Sequence, residues 1–262
     1  EKEKQNFNKW QKITKQFFKL PNEIKKKYHF KDSKINVGYD FFKSENVNVN
    51  TPADLKESFN FSNNHQMLEK LWPTEVKDFK KVGIELEKSA HNLSLRFLSI
   101  FEKVLSVQKD FLVSKHVNSL STLRTIHYPA YKEKIKKDQL RIGEHTDYGT
   151  ITILWQLNEV SGLEIMRKNG KWIEIPFIKN SVIVNIGDLL QRWTNDFFKS
   201  TAHRVNNSKI DFSRFSMPYF IHPQEGTMIK NLTSKKSKYP PTLSDKYLKW
   251  RLSQSYKKEN FK

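Results

Sequence analysis

The longest stretch of helical periodicity lies between residues 76 and 105. Phe79, Val82, Leu86, Ala90, Leu93, Phe97, Ile100 and Val104 recur there at steps of three or four. That spacing sets them on one face of a helix, with charged residues on the other, and predicts a support helix packed on a core. Residues 1–35 carry a second amphipathic pattern in Trp10, Ile13, Phe17 and Leu20, and Pro21 ends that run. Between the two, residues 36–65 are rich in Asn, Ser and Phe and contain Gly38 and Pro52, which predicts loop with short extended pieces.

After Lys115 the pattern changes to short extended runs at 120–128, 141–146, 150–156, 162–167, 171–176, 181–186, 201–206 and 213–221. Turn residues separate most of them: Gly149, Ser161-Gly162, Asn169-Gly170, Lys179-Asn180 and Asn207-Ser208. Asn169-Gly170 between two strand-like runs is a strong hairpin signal. So many short strands predict an antiparallel sandwich or jelly roll, and a closing helix over 240–257 follows Pro240-Pro241. The fold class expected is mainly β with flanking helices. Residues 1–116 form an N-terminal helical support region, 117–224 the β core and 225–262 a C-terminal segment and helix, all as one structural unit.

Composition narrows the function classes. The 262 residues include no cysteine, which excludes a disulfide framework, a thiolate metal site and a cysteine nucleophile. No apolar run approaches the roughly 20 residues of a membrane span, and no signal-peptide core is visible. The expectation is a soluble, cytoplasmic monomer. The chain opens on Glu1 rather than methionine, so its native start is expected to lie elsewhere. The formal charge of +19 raises nucleic acid as a partner, but only 8 of the 47 basic residues are arginine. Lysine spread along a whole chain is a weak footprint, because bidentate base and phosphate contacts favour arginine. Nucleic acid is therefore not the expected partner, and a small-molecule substrate is.

The residues with chemistry are few. His145 and Asp147 are two apart in an extended run, so both point to one face. His203 lies in a later run that a jelly roll can bring alongside. Two histidines and one carboxylate on one face of a metal leave positions open, the facial triad of non-haem Fe(II) oxygenases. The His-Glu-x-x-His helix of zinc proteases is absent. Arg214 and Ser216 are likewise two apart, and a guanidinium fork with a hydroxyl can hold a carboxylate. An arginine ion-paired at a sheet edge is the competing reading. A hairpin through Asn207–Asp211 would set Arg214 and Ser216 against the strand of His203. His29, His65, His91, His116, His127 and His222 are expected to be non-ligands, Arg204 a structural ion pair, and Asp188 the start of a turn or short helix.

Several stretches resemble one family: His127-Tyr128-Pro129, His145-Thr146-Asp147-Tyr148-Gly149, Gly162-Leu163-Glu164-Ile165, Trp172 to Pro176, Asn185-Ile186-Gly187-Asp188, Trp193-Thr194-Asn195, Ser200 to Val205, and Arg214-Phe215-Ser216. Their order and spacing are similar to those of the iron- and 2-oxoglutarate-dependent dioxygenases of the isopenicillin N synthase-like group. Phe17-Phe18-Lys19-Leu20-Pro21 and Tyr239-Pro240-Pro241 extend the resemblance over nearly the whole chain. It implies a distorted double-stranded β-helix with Fe(II) on His145, Asp147 and His203. It also implies 2-oxoglutarate and O2 as co-substrates, the distal carboxylate of 2-oxoglutarate on Arg214 and Ser216, and Tyr128 beside it. Such an enzyme releases succinate and CO2 and hydroxylates or otherwise oxidises a small organic molecule. With Asp147 present, no ligand position is vacant for halide. Two departures stand out. Ile126 occupies a position where the family often has asparagine, and the family's "PVIDLS"-like and "GFF…NHG" strands are missing. Either the chain begins downstream of them or part of the sheet is lacking. The alternatives are an Fe(II) oxidase that binds the substrate's own carboxylate at Arg214, and an oxygenase acting on nucleic acid or protein.

The charge reading is testable. DNA binding should be weak, independent of sequence and lost near about 150 mM salt, where counterion release no longer drives it. A sub-micromolar complex under those conditions would promote the nucleic-acid reading.

Overall fold

The structure, a computed structural model, describes residues 2–29, 37–62, 69–119, 121–233 and 235–255. The first third supplies α1 (Lys2–Phe18), α2 (Asn22–Lys26), β1 (Gly38–Asp40), β2 (Glu57–Phe61) and α3 (Phe79–Leu105). Next come β3 (Thr122–Tyr128), β4 (Ile142–His145), β5 (Ile151–Gln156), β6 (Leu163–Met166), β7 (Trp172–Glu174) and β8 (Ile183–Ile186). Then follow α4 (Asp188–Trp193), β9 (His203–Val205), β10 (Arg214–Ile221), β11 (Met228–Ile229), β12 (Thr242–Leu243) and α5 (Ser244–Ser255). Each extended run predicted after Lys115 holds a strand. Residue 120 of the first run and residues 256–257 of the predicted closing helix lie outside the described residues.

The strands form a major antiparallel sheet in the order β1-β2-β3-β10-β5-β8 and a minor one in the order β4-β9-β6-β7. Together they make the double-stranded β-helix. The pair β6–β7 is the hairpin signalled by Asn169-Gly170, with Gly170 at φ 75°, a value glycine reaches without a Cβ clash. β1 and β2 are the short extended pieces between the helices, and they lengthen the major sheet beside β3.

Alternation along the central strands decides what each sheet face does. On β10, Phe215, Met217, Tyr219 and Ile221 join the aromatic core under the helices. Arg214, Ser216, Pro218 and Phe220 point the other way, into a cavity between the sheets. The helix layer docks through Trp10, fully buried against Phe61 and Phe79 and donating its indole N–H to Thr125 Oγ at 2.9 Å. Phe17 sits in the same cluster, edge-on to Tyr39 and Phe59.

Two expectations need correction. The apolar stripe of α3 does not stay buried to its end, since Ile100 and Val104 are each 54% exposed. The buried line runs instead through Ala90, Ser94, Leu98 and Glu102, and each step of four carries it about 40° further around the helix, away from the face of Ile100 and Val104. Buried Glu102 has a purpose at that end. It accepts the backbone N–H groups of Asp110, Leu112 and Val113, which would otherwise lack partners as the chain turns. The hairpin expected through Asn207–Asp211 does not form. β9 pairs with β4 and β6, whereas β10 pairs with β3 and β5, so the connection crosses from one sheet to the other.

Close approach at one end of the cavity demands glycine. A Cβ on Gly187 would stand 2.3 Å from Gly149 O, and one on Gly149 would stand 2.3 Å from Ile221 O. Backbone cannot yield as a flexible side chain does. Gly187→Ala should lower unfolding stability by about 1–3 kcal/mol or more, as overpacking does. Equilibrium denaturation measures it, and an unchanged midpoint would contradict the close approach.

Candidate metal centre and anion pocket

β4 and β9 lie side by side with His145 and His203 as register partners, and their rings are 4.2 Å apart. Asp147 follows β4 by two residues. One ligand atom from each of the three lies within 4.8 Å of the others, the one such cluster found among the described residues. His145 Nε2 is 4.0 Å and His203 Nε2 3.7 Å from the same oxygen, Asp147 Oδ1. The sequence spacing explains the aim of both rings. Each places its Nδ1 on the carbonyl oxygen two residues earlier, His145 on Gly143 O at 2.9 Å and His203 on Thr201 O at 3.0 Å. A carbonyl can only accept, so Nδ1 carries the proton and Nε2 keeps its lone pair toward Asp147.

Asp147 is held from its other side. Asn185 of β8 donates to Oδ2 at 2.7 Å, and Thr152 of β5 adds a hydroxyl. Burial works to raise the Asp147 carboxyl, but His203, His145 and these hydrogen bonds hold it below its usual range. Burial, and then neighbouring His203, push the His145 imidazole well down, so it is neutral at pH 7. An ionised Asp147 and a neutral His145 are the protonation states in which those two groups can ligate a divalent cation. From outside, Arg251 of α5 donates to Thr146 Oγ1 at 3.1 Å and stacks over Tyr148 at 4.4 Å, bracing the segment that carries Asp147.

At the opposite end of the cavity, Arg214 pairs in register with Tyr128 of β3. Its guanidinium lies 4.9 Å from the Tyr128 ring centroid, and the Tyr128 hydroxyl is 3.2 Å from Ser216 Oγ. Arg214 is 1% exposed, yet its Nε and Nη1 have no hydrogen-bond partner. Among the described residues no carboxylate forms the sheet-edge ion pair weighed from the sequence. Orphan donors on a buried cation fit an anion that enters the cavity.

A third group of charges lies on the cavity wall between β2 and β3. Glu45 accepts Arg124 Nη1 at 3.0 Å and also accepts the Lys56 ammonium. Burial opposes ionisation of Glu45, but Arg124 and Lys56 overcome it and hold the carboxyl far below its usual range. Arg124 also lies over the Phe220 ring at 5.8 Å.

The remaining candidates sit elsewhere. Arg204 pairs with Glu164 at 2.6 Å on the outer face, and Asp188 opens α4. His127 is hydrogen-bonded by Glu57 and Ser213, His116 by Leu112 O and Thr150, and His29 by Tyr39 O. His91 approaches the Tyr219 hydroxyl at 3.4 Å, His222 is buried near Gly149, and His65 lies outside the described residues. Sequence reasoning missed Asn185 and Arg141. Asn185 was quoted in a matching stretch without a role, and only its strand parity could have aimed it at Asp147. Arg141 had no signal beyond being one of eight arginines in a lysine-rich chain.

Residues 119–223 match the profile described as the 2OG-Fe(II) oxygenase superfamily, and residues 3–77 match that described as non-haem dioxygenase in morphine synthesis N-terminal. The 2-oxoglutarate-Fe(II) type oxidoreductase hxnY of Emericella nidulans is 30% identical, over 92% of this chain and 75% of that protein. A full-length Neurospora crassa protein solved in complex with alpha-KG and thymine superposes with a TM-score of 0.84 at 31% identity, covering 95% of this chain and 83% of that one. JOX2 in complex with 2OG, Fe and JA gives a TM-score of 0.81 at 25% identity, covering 95% and 74%.

The Asn185 contact generates a prediction. Removing the partner that orients a ligating carboxylate costs about 10–100-fold in metal affinity. Asn185→Ala should weaken Mn(II) binding by that order in calorimetry. Unaltered affinity would show that Asp147 needs no such support.

Proposed function

The chain belongs to the 2OG-Fe(II) oxygenase superfamily, and on that premise we propose that this cavity oxidises a small organic molecule with Fe(II), 2-oxoglutarate and O2. His145 Nε2, Asp147 Oδ1 and His203 Nε2 hold the metal. Arg214 and Ser216 hold the distal carboxylate of 2-oxoglutarate, with Tyr128 against it. The observation that carries this reading is the pairing of two features in one cavity: a three-donor cluster at one end and a buried arginine with unpartnered donors at the other.

When bound, iron lets O2 and 2-oxoglutarate supply a two-electron oxidant, the co-substrate leaving as succinate and CO2 while the substrate is oxidised. The chain's own residues bind, orient and keep out water. The Nδ1 protons of His145 and His203 stay on backbone carbonyls, which fixes both rings before any ligand arrives. Asn185 holds Oδ2 of Asp147, leaving Oδ1 to face the metal. Arg214 aligns the co-substrate along the cavity by its far end, so the 2-oxo acid end is presented at the triad. Between them Leu154, Ile183 and Val205 line the cavity and exclude water.

The substrate side is bounded by Val47, Phe220, Lys56 and Arg124. An apolar body with a hydrogen-bond acceptor suits that wall. The thymine bound by the Neurospora crassa protein and the JA bound by JOX2 are small molecules, which supports a small substrate here as well. Diffuse lysine gives no support to nucleic acid as substrate. Among the described residues no helix is long and apolar enough to cross a membrane.

Arg214→Lys separates a 2-oxoglutarate site from a generic cation. A lysine cannot reproduce the guanidinium fork, and hydrogen bonds to a charged group contribute about 1.5–3 kcal/mol. The 2-oxoglutarate dissociation constant should rise roughly tenfold to a few hundredfold. Fe(II) affinity should hold in Arg214→Lys but collapse in His145→Ala and His203→Ala. Anaerobic titration of the visible band of the Fe(II)–2-oxoglutarate chelate reads both. A wild type with no such band at millimolar 2-oxoglutarate would return Arg214 and Ser216 to the substrate's own carboxylate.

A further inference from the structure

Arg141 precedes β4 and is fully buried. Its Nη2 donates to Ile210 O at 3.3 Å and to Phe212 O, both in the connection that crosses from β9 to β10. Its Nε and Nη1 have no partner. The guanidinium stands 6.0 Å from the centroid of the Tyr128 ring, the same ring that Arg214 approaches at 4.9 Å. Among the described residues, the arginines with a carboxylate in ion-pair range are Arg124, Arg204 and Arg251, so neither Arg141 nor Arg214 is neutralised. Arg214 faces the cavity and Arg141 is outside its lining.

Tying a loop by its carbonyls needs a donor but no charge. A glutamine could serve, without the large desolvation cost of a buried guanidinium. Two uncompensated cations at one aromatic ring are also mutually repulsive. Burial first, and Arg214 second, push the Arg141 guanidinium down to about 10, which still leaves it protonated at pH 7. A fold that retains such a pair gains from it when an anion arrives between the sheets.

We propose that Arg141 is a positioning residue for the co-substrate's distal carboxylate, a second buried positive charge beside Tyr128 that makes the Arg214 subsite select a 2-oxo diacid over a 2-oxo monoacid. This rests on the reading of Arg214 as the 2-oxoglutarate subsite. Arg141 acts through the field it adds and through its hold on the residues just before Arg214, without touching the ligand. A charge interaction across several ångströms of protein interior is large enough to change affinity by about tenfold or more.

The test compares two ligands on the Mn(II)-loaded protein, which binds without turnover, by calorimetry. They are 2-oxoglutarate and 2-oxopentanoate, which has a methyl group where the distal carboxylate would be. Arg141→Met and Arg141→Gln should weaken 2-oxoglutarate by about tenfold or more and leave 2-oxopentanoate within about twofold. Arg141→Lys, which keeps the charge, should retain most of the preference for the diacid. Unchanged preference in Arg141→Met and Arg141→Gln overturns the proposal, whether both ligands weaken together, as a purely structural tie predicts, or neither does. Should those two variants fail to fold, Arg141→Lys decides, since loss of the preference despite a retained charge also overturns it. A wild type with no preference for the diacid would instead remove the Arg214 reading itself, a result distinguishable from a failure confined to the variants.

Discussion

Arg214 and Phe215 are neighbours on β10, yet one faces a cavity and the other an aromatic core. A slip of one residue would drive the guanidinium into the core and the rings into the cavity. Register is fixed on both sides, against β3 through Arg214↔Tyr128 and against β5 through Ser216↔Gln156. It is fixed again by side chains, Phe215 stacking on its β3 partner His127 at 4.4 Å and Tyr219 donating to Glu87 of α3, outside the sheet, at 3.0 Å. Pro218 lacks an N–H, and the β3 ladder lapses at Met217 and Pro218 while pairing with β5 continues. The strand tolerates a proline in a central position because one neighbour carries the pairing there.

The interior contains many charges, and two groups of them bear on the site. Glu45 is matched by Lys56 and Arg124, and Glu57 by Lys25 with His127 and Tyr39. Those sets are satisfied within the protein and stiffen it. Asp147, Arg214 and Arg141 are different. Asp147 shares one oxygen between two imidazoles, and each of the two arginines keeps two buried nitrogens without partners. Unfinished electrostatics coincide with the proposed metal and co-substrate ends, where a cation and a dianion would complete them. A buried ion pair alone would not have marked the site, since Lys25 and Glu57 form one outside the cavity lining.

Strand periodicity after Lys115 was readable because each run is short, alternating and bounded by turn residues. The clustering of His145, Asp147 and His203 was readable because His-x-Asp puts two side chains on one strand face and because the surrounding stretches resemble one family. Other features had no local signature. The crossing of the 206–213 connection depends on which sheet each strand joins, which two adjacent runs in sequence cannot reveal. The burial of Glu102 rather than Val104 depends on how the chain after α3 folds back to place the N–H groups of Asp110, Leu112 and Val113 on its carboxylate. Arg141 and Asn185 act on partners distant in sequence, so neither is visible as a motif. The scarcity of arginine was the available hint. Arg124, Arg141 and Arg214 are all buried, although lysine dominates the basic residues of this chain.

The division of the site between sheets sets its mechanical requirement. The three proposed metal ligands sit on or just after strands of the minor sheet, while Arg214, Ser216 and Tyr128 sit on the major sheet. A co-substrate held at both ends therefore measures the gap between the sheets. That gap is fixed by what crosses it: Asn185 of the major sheet on Asp147, the 206–213 connection, and Arg141 fastened to the carbonyls of that connection. The N-terminal third reaches the same region from behind. Lys25 and His127 meet on Glu57, and the other nitrogen of His127 bonds Ser213, the residue before Arg214. Removing α2 or β2 would thus loosen the anion end of the cavity without touching any residue proposed to bind a ligand. Val47 and Lys56, from the segment between β1 and β2, also form part of the proposed substrate wall. The early helices and strands are consequently part of the proposed site, and the β-helix core alone would present its proposed metal ligands beside an open wall.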